Sequence, residues 1–175
     1  MPPPSLLDDL RSMVNSQHFS DITFLVEDVP IYAHKMMCIR CPVLHAMLTG
    51  EMMESRASQI PIYDTKAETF LSLLEYLYTD DTDISIYNAM DLFQLADRFA
   101  VDRLKRLCEN VMLNALCIEN AAYLLNAADM FHANGLRERC LVFILNHFDE
   151  ITKTPSFEEV GRTNIDLVFE ILKRR

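Results

Sequence analysis

The chain has 175 residues, half of them hydrophobic, and 26 acidic against 16 basic side chains give a net charge of −10. That length accommodates one large or two small domains whose core needs neither disulfides nor metal. An acidic surface repels phosphate backbones, which argues against direct nucleic-acid binding, and no apolar run approaches the ~20 residues that span a bilayer.

In chain order, residues 1–4, Met-Pro-Pro-Pro, read as a linker remnant, because a proline run favours extended, unpacked chain. The N-terminus lacks the charged-then-apolar layout of a secretory signal, so a cytoplasmic or nuclear location is expected. Ser5 followed by Asp8 at N3 forms an acidic variant of the capping box. Leu6, Leu7, Leu10, Met13 and Val14 then recur at helical spacing, which predicts an amphipathic helix of about three turns. Strands are predicted at 22–26 and 31–33 around a tight turn at Glu27-Asp28, and short helices from His34 and from Pro42. A third strand is predicted at 59–62. Thr65-Lys66-Ala67-Glu68 reads as a capping box that opens a helix through Leu71, Leu74 and Leu77 and stops near Tyr78-Thr79.

From Ile84 onward only helices are predicted, and they repeat. A shift of 32 residues aligns Asn88, Ala89, Leu92, Ala96, Asp97, Phe99, Leu104 and Cys108 with Asn120, Ala121, Leu124, Ala128, Asp129, Phe131, Leu136 and Cys140. The unit is helix, short turn, helix, and it cannot bury its apolar face alone.

Catalytic chemistry finds little support. There is no glycine-rich phosphate loop and no GxSxG, and the histidines fall within helical patterns. The chain is read as no enzyme, with no cofactor. Five cysteines, Cys38, Cys41, Cys108, Cys117 and Cys140, are expected as reduced thiols. Cys38 and Cys41 have the spacing of half a zinc site beside His34 and His45. They lack a second pair and read as small apolar helix residues, so no metal site is expected. The basic clusters at Arg103, Lys105, Arg106 and at 173–175 read as a solvated helix face and a terminus.

Five motifs occur in family order: Ser20-Asp21-Ile22-Thr23-Phe24; Ala33-His34-Lys35; Cys41-Pro42-Val43-Leu44 with Ala46-Met47-Leu48; Glu51-Met52-Met53-Glu54-Ser55; and Leu74-Glu75-Tyr76-Leu77-Tyr78-Thr79. On these the chain resembles a BTB/POZ domain followed by a BACK-like helical region. It looks most similar to the BTB–BACK unit of proteins with regulator-of-chromosome-condensation repeats, then to Kelch- or ankyrin-linked BTB adaptors. The resemblance implies an α+β fold: a short three-stranded sheet flanked by helices, continuing into all-α hairpins. It places the BTB/POZ domain with its N-terminal dimerisation helix at 5–115 and the BACK-like region at 116–175.

The resemblance further implies a homodimeric protein–protein interaction module, a substrate adaptor that binds the N-terminal region of cullin-3 in a ubiquitin ligase. The substrate would be held by a domain outside these residues. Leu6, Leu7, Leu10, Met13 and Val14 would pack across a two-fold axis, with Asp21 and Lys35 as a charged pair near that interface. Met52 and Glu54 match the hydrophobic-x-Glu motif that faces the cullin, Tyr78 would flank the same surface, and the hairpin around 118–131 would extend it. The alternative is an oligomerisation scaffold that has the fold without the cullin contact. Where the family's turn after Tyr-Thr carries Gly, this chain has Asp80.

Overall fold

The structure is a computed structural model, which describes residues 5–49 and 58–175. It divides into two compact units, residues 1–108 and 109–175.

The first unit opens with α1 (Leu6–Ser12), whose Ser5 cap is the predicted box. The Asp8 N–H donates to Ser5 Oγ at 3.3 Å and the Ser5 N–H donates to Asp8 Oδ2 at 2.9 Å. The Ser5 N–H and the Ser5 hydroxyl, which donates to Asp8 Oδ2 at 2.8 Å, hold the Asp8 carboxyl below its ordinary range. The helix is shorter than the predicted three turns. Met13 is its C-cap, so Met13 and Val14 lie past its end.

Three strands, β1 (Ile22–Val26), β2 (Val29–Ala33) and β3 (Gln59–Ile62), form one sheet in the order β2-β1-β3. β1 runs antiparallel to β2 and parallel to β3. Glu27 and Asp28 both have positive φ, 50° and 62°. That is what a two-residue turn between twisted strands demands, and neither residue is glycine. The pairing runs to Val29, so β2 begins two residues before the predicted strand. Ile22, Phe24, Val26, Ile31, Ala33, Ile60 and Ile62 are buried, the alternation of a sheet packed on one face.

Short α2 (Lys35–Cys38) and α3 (Pro42–Thr49) precede the long α4 (Ala67–Thr79), which buries Phe70, Leu73, Leu74 and Leu77. Phe70 stands edge-on between Phe24 and Phe99, at centroid distances of 5.1 and 6.1 Å. The start of α4 departs from expectation. Its N-cap is Lys66, and no side chain of the Thr65–Glu68 box caps it. The Ala67 N–H donates instead to Glu27 Oε2 at 2.9 Å, from the β1–β2 turn. At the other end Asp80 takes the left-handed conformation, φ 61°. This is the slot that favours glycine. The Asp80 carboxylate is gripped by Arg40 and by Arg103, the latter at 2.8 Å, and Arg40 Nη1 also donates to the Leu77 carbonyl at 2.6 Å. The Arg40 bond is the main cause that holds the Asp80 carboxyl low.

The 32-residue repeat is present in detail. α5 (Ala89–Arg98) and α6 (Asp102–Asn114) correspond residue for residue with α7 (Ala121–Met130) and α8 (Asn134–Asn146). Asn88 Oδ1 accepts from the Ser85 N–H at 2.8 Å and its amide donates to the Asp83 carbonyl at 2.9 Å. Asn120 makes the same two bonds, to Cys117 at 2.8 Å and Ala115 at 2.7 Å. The turns match too, with Ala100 and His132 at φ 56° and 54°.

In the second unit, three further helices follow: α9 (Phe148–Ile151), α10 (Pro155–Thr163) and α11 (Ile165–Arg174). α10 packs on α7, and α11 on α8 and α10. Thr154 caps α10 ahead of Pro155 in the first turn, and Asn164 caps α11, both by side-chain acceptance of free N–H groups.

Candidate interaction surfaces

α1 buries none of its residues. Leu6 and Leu7 are 72% and 51% exposed, while Leu10, Met13 and Val14 are half-buried. The helix is nevertheless fixed against α4. Arg11 donates from Nε to Glu75 and from Nη2 to Asp81, both at 2.8 Å. An anchored helix that keeps its leucines in water offers about 1.5–3 kcal/mol of burial per leucine to whatever covers them. Arg11 was not singled out in the sequence, because its partners lie more than sixty residues away.

Asp21 and Lys35 meet, but not as two charges. Asp21 Oδ1 accepts from the backbone N–H of Lys35 at 2.7 Å, and among the described ion pairs neither side chain takes part. The carboxylate serves the first turn of α2. Nearby, Phe19 (81%), Met36 (69%) and Ile39 (53%) are exposed. Phe19 holds φ 58°, a conformation costly for a bulky residue. Sequence reading missed all three; only the i, i+3 spacing of Met36 and Ile39 carried a signal.

Tyr78 lies in the interior, 2% exposed. Its hydroxyl accepts the His34 N–H at 2.9 Å and lies 2.7 Å from His34 Nδ1. His34 Nε2 is 3.0 Å from the His18 carbonyl. A carbonyl only accepts, so Nε2 carries the proton and Nδ1 receives the tyrosine O–H. Desolvation pushes the Tyr78 phenol up to about 12. Tyr78 is therefore a core residue whose hydroxyl is satisfied by His34. Met52 and Glu54 lie outside the described residues. In the hairpin around 118–131, Tyr123 and Met130 are 60% and 62% exposed.

Cys38, Cys41, Cys108 and Cys140 are buried. Cys41 Sγ donates to the Phe99 carbonyl at 3.2 Å, and burial pushes the Cys38, Cys108 and Cys140 thiols up to about 12. Among the described residues no group of three or more His, Cys, Asp or Glu is placed to hold a metal. No described helix is long and apolar enough to cross a membrane.

A family model for the BTB/POZ domain matches residues 10–116. The chain belongs to the BTB/POZ family. Its BTB fold resembles the solved BTB domain of human gigaxonin with a TM-score of 0.50 at 20% identity, over 59% of this chain and 84% of that one. BTB domains dimerise and bind partner proteins, and the fold is an interaction module rather than a catalytic one. Two relatives from Arabidopsis thaliana are similar along most of the chain. One is "ARM repeat protein interacting with ABF2", 33% identical over 162 residues, 92% of this chain and 23% of that protein. The other is "Armadillo BTB Arabidopsis protein 1", 31% identical over 143 residues, 81% of this chain and 19% of that protein. The chain thus spans about a fifth of the length of these curated relatives. Both carry armadillo words in their names, where the sequence pointed to regulator-of-chromosome-condensation, Kelch or ankyrin proteins.

Proposed function

We propose that this BTB domain forms a homodimer through α1 and acts as a substrate adaptor that recruits the N-terminal region of cullin-3 to a ubiquitin ligase. The observation that carries the reading is α1 itself, pinned by Arg11 to Glu75 and Asp81 while Leu6 and Leu7 stay exposed. A second copy related by a two-fold axis covers those leucines with its own. Phe19, Met36 and Ile39 of the same unit are likewise exposed.

The cullin contact rests on sequence. Met52 supplies an apolar anchor and Glu54 a carboxylate that orients it. Residues 116–175 take the role of a BACK-like region. The substrate is held by a segment outside these residues, for which the armadillo-named relatives favour an armadillo-type repeat.

Calorimetric titration of the cullin-3 N-terminal region, beside a Met52→Glu, Glu54→Lys double variant, tests the adaptor role. Low-micromolar or tighter binding that the variant loses supports it, and absence of wild-type binding leaves the scaffold reading. Light scattering on a Leu6→Glu, Leu7→Glu variant tests the dimer, with a halved mass expected.

A further inference from the structure

α11 has two faces of opposite use. Leu167 and Ile171 are buried, at 2% and 0% exposure, while Ile165, Phe169 and Leu172 remain 52%, 53% and 50% exposed. At about 100° per residue these three occupy one arc of ~60°, opposite the buried pair. The charges of the helix divide the same way. Glu170 and Arg174 are spent inward, on Arg137 and Glu138 of α8. Asp166 and Lys173 take part in no ion pair among the described residues, and both lie along the same border of the exposed stripe, ~20° apart on the helical wheel.

We infer that this face of α11 binds a second copy of itself in antiparallel register. The two Phe169 side chains meet near the two-fold axis, and Asp166 of each copy stands against Lys173 of the other. The arrangement is self-complementary because an acid and a base seven residues apart exchange places under a two-fold rotation. A parallel pairing would instead carry the two copies' Asp166 and Lys173 to opposite borders of the seam and leave these charges unpaired.

Three half-exposed side chains from each copy bury together roughly 600 Å², below the about 1,200 Å² of stable specific interfaces. The contact is therefore weak between free molecules and effective between molecules already held in pairs. In this respect it rests on the proposed α1 homodimer. Two different two-fold contacts on one chain join dimers into larger assemblies, and where two α11 contacts form between the same two dimers the second is effectively intramolecular.

Sedimentation velocity on the whole chain, over a concentration series through the micromolar range, tests the inference. Species larger than a dimer are expected, and Phe169→Glu should reduce them to dimer. Asp166→Lys and Lys173→Asp should each weaken the association about tenfold, while an equimolar mixture of these two single variants should restore it. Circular dichroism checks that each variant is folded. A wild type that stays dimeric at every concentration overturns the inference and leaves the α1 dimer intact. Concentration-dependent dimers lost on Phe169→Glu but kept in Leu6→Glu, Leu7→Glu support it and sink the α1 reading. A mixture that fails to restore association overturns the antiparallel register.

Discussion

The two helical hairpins share a frame and differ in how they are tied down. Both have ten- and thirteen-residue helices, an asparagine bracketing the loop before the first helix, and a left-handed residue in the turn. Both also place a base eight residues after an acid: Lys105 on Asp97 at 2.5 Å, and Arg137 on Asp129 at 2.7 Å. Here the copies part. Lys105 meets a carboxylate that is 58% exposed, whereas Arg137, only 20% exposed, also holds Glu170 of α11. A planar fork reaches two carboxylates where an ammonium reaches one. The backbone of a hairpin is thus repeated, and Arg137 gives the second copy an added tie to α11 that Lys105 does not make.

The largest effects should test whether the frame is equivalent. Leu104 and Leu136 are both fully buried, so Leu104→Ala and Leu136→Ala should each cost about 2–5 kcal/mol, read by chemical denaturation. A large inequality would break the comparison at its core. Next, Asn120→Ala removes two part-buried bonds to the backbone at an expected cost of about 1–2 kcal/mol, and Asn88→Ala, one of whose bonds is exposed, about 1. Then comes the point of divergence. Arg137→Ala should cost about 1–2 kcal/mol, and Lys105→Ala under about 1. Equal losses would mean that the second tie to α11 contributes nothing.

The smallest effect is in pH. Cys108 and Cys140 occupy matching positions, both pushed up from 9.0 to about 12 by desolvation. A raised folded value means that their contribution is whole below pH 9, where both states keep the proton, and is lost as pH rises toward 12. Stability should therefore decline across that window, and both thiols should resist alkylation at pH 8 until the chain unfolds.

Much of this was legible in the sequence because it is local or periodic. The Ser5–Asp8 box and the three strands rest on residues within a few positions of one another, and the repeat on a fixed shift of 32 residues. What was missed depends on distant partners. Glu27 caps α4 from forty residues away, and no window on Thr65–Glu68 reveals that a better acceptor is folded against it. Asp21 and Lys35 meet through the backbone N–H of Lys35, which spacing does not distinguish from the ammonium. Tyr78 was read outward because its helix ends there, and only the position of His34 shows that the hydroxyl is satisfied within. The tail after Phe148 is helical as expected, and its helix starts carry local signals, Thr154 before α10 and Asn164 before α11.

The Glu27 bond has a consequence for the order of folding. A helix begins with free N–H groups and a costly first turn, and here one of those groups is met by a residue that faces it only when the hairpin turn falls at Glu27-Asp28. A strand pair slipped by one residue would carry the carboxylate away and leave α4 to fray. Register in the sheet is thus proofread by the start of a helix, and amide exchange at Ala67 would report a misregistered hairpin before any strand signal did.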